Sequence, residues 1–188
     1  VMCGIVGYVG KRDAQPLIIS GLEKLEYRGY DSAGIAVLEA DEVRTTRVEG
    51  KLAVLKQRLD VQTRNGSSPI GIGHTRWATH GRPSDDNAHP HRAGRVSLVH
   101  NGIIENYVAL RTDLQKRGAV FTSETDTEIA AHLLNSFLEA GEEPFQALKD
   151  ACAEIIGSFA FLAFDSQHTD RLLVAKNATP LIIGQGKD

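Results

Sequence analysis

A chain of 188 residues, 41% of them hydrophobic, is large enough to bury the core of one folded domain. Its formal net charge is −3, and its Lys and Arg residues form no basic stripe, which argues against nucleic acid or an anionic membrane as the partner. The sequence shows neither a secretory leader nor an apolar run that could span a bilayer, so we predict a cytoplasmic protein that binds a small ligand.

The hydrophobic pattern predicts strands near both ends of the chain, with helices between them. In chain order, we predict a strand over residues 4–9, a helix over 16–27, strands over 33–38 and 43–48, a helix over 52–59, strands over 70–75 and 96–100, helices over 107–117, 127–139 and 145–156, and strands over 159–164, 172–175 and 181–183. This segregation of strands and helices predicts an α+β fold with antiparallel sheets. The polar stretch 63–69 is expected to be a surface loop, and the long segment 76–94 a functional loop.

Cys3 is the candidate nucleophile. A cysteine at a chain terminus can use its own α-amine, with a reference pKa near ~8, as the base that takes the thiol proton. In the sequence as given, Val1 and Met2 precede Cys3, so its nitrogen is an amide and cannot act as that base.

Asn101 and Gly102 follow a predicted strand and have two interpretations. An Asn-Gly pair in this setting is first of all a type I′ hairpin turn. Alternatively, the side-chain amide of Asn101 and the backbone N–H of Gly102 donate to the oxyanion that forms when a thiolate attacks an amide carbonyl.

The segment 74–81 contains the best candidate anchor for a substrate carboxylate. Arg76 can hold a carboxylate through two hydrogen bonds, and Thr79 and His80 can supply further donors. Trp77, the only tryptophan of the chain, lies where a loop could close over a ligand. The simpler interpretation is a strand end with a surface arginine.

Thr125 and Glu128 match a capping box at the start of a predicted helix. A structural role is therefore the default for this segment. Asp126, in the first helical turn, interacts favourably with the helix dipole and, if exposed, could bind a substrate ammonium.

Five histidines occur from His74 to His100, both included. Their spacing lacks the helical i,i+4 pattern of zinc enzymes, and no cysteine lies near them in sequence, so we predict no metal site.

Together, these motifs resemble the class II glutamine amidotransferases, whose N-terminal cysteine hydrolyses glutamine. The start of the resemblance is Cys3-Gly4-Ile5-Val6-Gly7, and it extends to the end of the chain. Within the class, the segments 25–34, 74–81, 100–106 and 123–128 resemble the glutamine–fructose-6-phosphate aminotransferases.

The resemblance implies an α+β fold of the N-terminal-nucleophile hydrolase type, an αββα sandwich with two antiparallel sheets. It implies no metal and no organic cofactor. For catalysis, the resemblance implies Cys3 as the nucleophile, its freed α-amine as the base, and Asn101 and Gly102 as the oxyanion hole. For glutamine binding, it implies Arg76, Thr79 and His80 as partners of the α-carboxylate and Asp126 as the partner of the α-ammonium. It places Trp77 on the loop that closes over glutamine and implies that Arg28 supports the nucleophile.

The resemblance further implies that residues 3–188 are a C-terminally incomplete amidotransferase domain, which would supply ammonia to a sugar-phosphate isomerase domain of the same full-length chain. That full-length protein would form a homo-oligomer. Two alternatives stay open: a non-catalytic glutamine-binding or regulatory module, if Val1 and Met2 keep Cys3 blocked, and a papain-like hydrolase that uses Cys3 with a distant histidine, although the local signature of such enzymes is missing.

Overall fold

The computed structural model describes residues 3–78 and 81–186, with the backbone but not the side chain of Arg28. Its elements are β1 (Gly4–Val9), α1 (Ala14–Glu23), a 3₁₀ turn (Glu26–Arg28), β2 (Ser32–Glu39), β3 (Glu42–Glu49), α2 (Leu52–Asp60), β4 (Ile70–Arg76), β5 (His91–Ala93), β6 (Val96–Ile104), α3 (Tyr107–Lys116), α4 (Thr127–Glu139), α5 (Pro144–Glu154), β7 (Gly157–Asp165) and β8 (His168–Asn177).

The strands form two four-stranded sheets. The first has the order β1-β4-β2-β3 and the second the order β5-β6-β7-β8, and all neighbouring strands are antiparallel. The predicted α+β class with antiparallel sheets is therefore confirmed.

The two sheets pack face to face between layers of helices. Along β2, Ile35 and Val37 pack with the residues of α1 and α2, whereas Ala36 and Leu38 belong to a core shared with the second sheet. Helices α4 and α5 cover the outer face of the second sheet, and α3 packs on α4. This arrangement is the predicted αββα sandwich. It leaves β2 and β4 buried on both faces, which explains why their sequences contain only small or apolar residues over most of their length.

The hairpin interpretation of Asn101 and Gly102 is wrong. Both residues lie inside β6, and Gly102 is paired with Phe159 of β7. The two-residue turn lies earlier, at Gly94 and Arg95, between β6 and the short strand β5 that the sequence pattern did not reveal. Pairing with a full-length neighbour has overridden the local preference of Asn-Gly for a turn.

One further prediction needs correction. The apolar residues 181–183 form no strand, and Ile182 is 94% exposed. Pro180, just before them, has no N–H to donate to a neighbouring strand. The described part of the segment 76–94 is a loop between β4 and β5, as predicted, although Asn87 and His89 within it have almost no exposed surface.

The predicted loop 63–69 is tied to the fold by a buried carboxylate. Glu39, 3% exposed at the end of β2, accepts hydrogen bonds from Arg44 at 2.7 Å and from Arg64 Nε at 3.0 Å. Arg64 also pairs with Asp13. The hydrogen bonds from Arg44 and, to a lesser extent, from Arg64 lower the pKa of Glu39 from 4.5 to about 2.

This network predicts a pH-dependent stability. Because the folded-state pKa of Glu39 is depressed, its contribution is complete above pH 4.5 and is lost as the pH falls towards about 2. We expect Glu39→Gln to lower the free energy of unfolding at pH 7 by about 2 kcal/mol and to flatten its dependence on pH across that window. Urea unfolding at several pH values measures both effects.

The control is Glu23→Gln, which removes an exposed partner of Lys56 and should have little effect. If the free energy of unfolding of the Glu39 variant fell between pH 4.5 and about 2 as steeply as that of the parent, Glu39 would not be the source of this pH dependence.

Candidate active site

Cys3 lies at the start of β1, beside the end of β4. The register pairs Gly4 with Thr75, and the backbone N–H of Gly4 donates to Thr75 Oγ1 at 3.2 Å. The Trp77 backbone N–H donates to Cys3 Sγ at 3.1 Å, and the thiol lies 3.7 Å from the Trp77 carbonyl oxygen. Antiparallel pairing thus brings the first described residue of the chain to the segment predicted to bind substrate.

The thiol of Cys3 is not a ready-made thiolate. Burial raises its pKa above 9.0, although the hydrogen bond from Trp77 and the charge of Arg76 oppose this effect. Within residues 3–78 and 81–186, no histidine or carboxylate hydrogen-bonds to Sγ. A nucleophilic Cys3 therefore needs a base, and the described side chains supply none in contact with it.

Asn101 lies against the same residue from the second sheet. Its Nδ2 donates to the Cys3 carbonyl oxygen at 3.0 Å, and its Oδ1 lies 3.0 Å from Nε2 of His74. The neighbouring Gly102 has a φ of 140°, and a Cβ at this position would lie 2.0 Å from the Ser158 carbonyl oxygen. Only glycine fits there.

Arg76 and Asp126 are buried charges, and Arg76 acts electrostatically on Cys3. Arg76 is 4% exposed, and its guanidinium donates to the Gly81 carbonyl oxygen at 3.3 Å. Burial lowers the pKa of Arg76, while the nearby Asp31, Cys3 and Asp126 oppose that shift. Arg76 and Asp31 thus act electrostatically on the Cys3 thiol, and Asp126 acts on Arg76.

Asp126 is buried, whereas the ammonium-binding interpretation considered an exposed carboxylate. Its Oδ2 accepts the backbone N–H of Ile104 at 2.9 Å, which links the start of α4 to the end of β6. The predicted capping box is only half formed. The Glu128 N–H donates to Thr125 Oγ1 at 3.4 Å, but the Glu128 carboxylate accepts from Ser123 instead of from the Thr125 backbone.

Trp77 is 44% exposed, and its ring lies over Gly29, where a Cβ would be 3.1 Å from Cζ3. Thr79 and His80, two predicted substrate partners, lie outside the described residues, and so does the side chain of Arg28. Their roles stay predictions.

Sequence reasoning missed two neighbours of the site. Asp31 accepts the backbone N–H of Ala78 at 2.7 Å and thereby holds the chain beyond Trp77. His74 contacts the Asn101 amide. Both residues lie in motifs that carried the resemblance, but motif membership alone does not reveal a hydrogen-bond partner.

Three histidine rings of this region contact one another inside the protein. The rings of His74 and His89 are stacked at 4.3 Å, and those of His89 and His91 lie 4.9 Å apart. Burial lowers the pKa of all three. Among the residues described, no three His, Cys, Asp or Glu side chains are grouped to hold a metal ion. The predicted independence from metals and cofactors remains a prediction.

These contacts unite most of the residues that the motifs singled out, and comparison with known proteins identifies the family. A family model described as a glutamine amidotransferase domain matches residues 74–188, more than half of the chain. The chain belongs to the glutamine amidotransferase domain family. In this family context, Cys3, Asn101, Gly102, Arg76, Trp77 and Asp126 form the candidate active site.

Two curated relatives are similar over almost the whole chain. Glutamine–fructose-6-phosphate aminotransferase (isomerizing) of Clostridium tetani is 47% identical over 100% of the chain, and the protein of the same name from Bradyrhizobium diazoefficiens is 49% identical over 98%. The chain spans 30% of the length of each relative.

The fold of this amidotransferase domain matches a solved structure. Glutamine phosphoribosylpyrophosphate amidotransferase from B. subtilis, complexed with ADP and GMP, superposes with a TM-score of 0.71 at 26% identity, over 86% of this chain and 35% of that one. The predicted N-terminal-nucleophile hydrolase sandwich is confirmed. Within the described ranges, no helix is both long and apolar enough to cross a membrane.

Proposed function

We propose that this chain hydrolyses the side-chain amide of L-glutamine to glutamate and ammonia, with Cys3 as nucleophile. The observation that carries the proposal is that Asn101 donates its amide to the Cys3 backbone carbonyl oxygen, while the buried Arg76 acts electrostatically on the Cys3 thiol. Glutamine offers a carboxylate, an ammonium and an amide, which are the complementary groups. The direct test is ammonia release from glutamine by a chain that begins at Cys3.

In the proposed first step, the α-amine of Cys3 takes the thiol proton as sulfur attacks the amide carbon. The carbonyl electron pair moves to oxygen, which becomes the oxyanion. The protonated amine then gives its proton to the amide nitrogen, the C–N bond breaks, and ammonia leaves a thioester on Cys3. The same amine takes a proton from water, whose oxygen attacks the thioester; the C–S bond breaks, the amine returns the proton to sulfur, and glutamate leaves. The raised pKa of Cys3 supports the need for this base.

The oxyanion requires donors that are already in place. Asn101 Nδ2 carries two hydrogens, of which one donates to the Cys3 carbonyl oxygen. We assign the other, with the Gly102 N–H, to the oxyanion. The glycine backbone supports this assignment because its lack of a side chain permits close approach of the substrate.

We assign the glutamine α-carboxylate to Arg76, with Thr79 and His80, and the α-ammonium to Asp126. A buried, preorganised cation gains more from a carboxylate than an exposed one, because water screens it less. Trp77 would line the closing loop, and Arg28 would support the nucleophile.

We expect Arg76→Lys to raise the KM for glutamine by about tenfold to hundredfold and to change kcat less, since lysine keeps the charge but loses the two-pronged geometry. Steady-state ammonia release measures both constants. The matched control is Arg92→Lys, at an arginine that donates to the Gly94 carbonyl oxygen on the exposed surface. An unchanged KM in the Arg76 variant would remove this residue from the binding site.

We further propose that residues 3–188 act as the ammonia-supplying domain of a cytoplasmic homo-oligomeric protein that makes glucosamine 6-phosphate from fructose 6-phosphate, with a sugar-phosphate isomerase domain in the same chain. The names of the two relatives, and the 30% of their length that this chain spans, support that proposal.

A further inference from the structure

The orientation of the Asn101 amide can be assigned from its two partners. Nδ2 faces the Cys3 carbonyl oxygen, which can only accept, so the amide nitrogen is at this end. Oδ1 therefore faces Nε2 of His74 at 3.0 Å. Because an amide oxygen also only accepts, Nε2 must carry the hydrogen.

The surroundings of His74 agree with a neutral ring protonated at Nε2. The residue is fully buried, and burial lowers its pKa to about 3. Its other nitrogen, Nδ1, is buried and makes no hydrogen bond of acceptable geometry among the described residues, and the His100 backbone, which favours the protonated ring, only partly offsets the effect of burial on the pKa. A bare nitrogen tolerates that environment better than an unpartnered N–H would.

The His74 ring is held rigidly. His74 lies on β4, between its strand partners Ile5 and Gly34, and its ring stacks on that of His89. Gly34 makes this stack possible, since a Cβ there would lie 2.2 Å from the His89 carbonyl oxygen. The donor is thus fixed by the first sheet, while its acceptor lies on the second.

We propose that His74 is a positioning residue of the oxyanion hole, whose Nε2–H locks the Asn101 amide with its nitrogen towards Cys3. The inference rests on the proposed glutaminase function. Without this donor the amide can rotate by half a turn, which would present its oxygen to the Cys3 carbonyl and to the developing oxyanion. Both contacts would be repulsive.

Two substitutions isolate the donor. His74→Gln keeps an N–H near the position of Nε2, and His74→Met has similar bulk without a donor; both lose the ring that stacks on His89. We expect the Met variant to lower kcat for ammonia release by about 30- to 100-fold with KM changed by less than about threefold, and the Gln variant to stay within about fivefold of the parent. The matched control, His89→Met, removes the stacking partner and should keep kcat within about fivefold.

Alkylation of Cys3 by iodoacetamide provides a readout that forms no oxyanion. Its rate should be nearly the same in the parent and in both His74 variants. Equal losses of kcat in the Gln and Met variants, or a Met variant with parental kcat, would overturn the proposal and assign His74 a packing role.

The tautomer can be measured on the unsubstituted chain, whether or not the variants fold. ¹⁵N NMR should show a neutral His74 with hydrogen on Nε2 from about pH 6 to 8. A hydrogen on Nδ1 would overturn the inference even if glutamine is hydrolysed. A parent chain that begins at Cys3 and releases no ammonia would instead refute the glutaminase function, while the NMR result would still decide the His74–Asn101 hydrogen bond.

Discussion

Replacement of Cys3 by alanine is expected to reduce ammonia release from glutamine to background, a loss of roughly 10⁴-fold or more. The reason is that no other described nucleophile lies beside the Asn101 amide, and the remaining oxyanion donors have nothing to stabilise without a covalent intermediate. Glutamine binding, measured by calorimetry, should persist because Arg76 and Asp126 remain. The assay uses a chain expressed from Met2, from which aminopeptidase removes the methionine.

The two cysteines allow a matched control. Cys152 is packed against the core of the second sheet, and burial raises its pKa to about 11. We expect Cys152→Ala to retain parental ammonia release. Substantial activity in the Cys3 variant would show that another group is the nucleophile.

The same ammonia-release assay tests whether the α-amine of Cys3 is the base. A chain that retains Val1 and Met2 has the thiol but an amide in place of the α-amine, so its turnover should fall by about 10²- to 10⁴-fold. Intact-mass analysis establishes which N-terminus each sample has. Equal activity of the retained and removed forms would exclude the α-amine as the base.

Replacement of Asn101 by alanine is expected to lower kcat by about 10²- to 10³-fold, equivalent to about 3–4 kcal/mol, with KM changed by less than about threefold. The oxyanion exists in the transition state and not in bound glutamine, so its donor should affect turnover more than binding. Steady-state kinetics of ammonia release separate the two constants.

A glutamate γ-semialdehyde analogue sharpens this test, because its adduct with Cys3 carries the oxyanion. Its affinity should weaken in the Asn101 variant about as much as kcat falls, while glutamine affinity should not. Asn177→Ala is the control, since Asn177 donates to the Gly157 carbonyl oxygen away from the site. A parallel loss of glutamine affinity would indicate that Asn101 positions the substrate instead.

Much of the fold could be predicted from periodicity. The helix predicted over residues 127–139 has those bounds in α4, and the strand over 4–9 is β1, because each has a long, unambiguous apolar pattern. The motifs were equally informative, since Cys3 and Asp126, which come from separate motifs, both act electrostatically on Arg76. The strand predicted over residues 181–183 does not form, because an apolar run becomes a strand only when a neighbouring strand pairs with it.

The sequence by itself determined most of the elements, the family and the chemical groups available for catalysis, since these depend on short-range patterns. The tertiary structure decided where those groups face. Asn101 and Gly102 read locally as a turn, yet pairing with β7 makes them part of a strand. His74 and Asn101 are 27 positions apart, and only the packing of one sheet on the other turns them into a hydrogen-bonded pair. Such contacts follow from long-range packing, which no local pattern encodes.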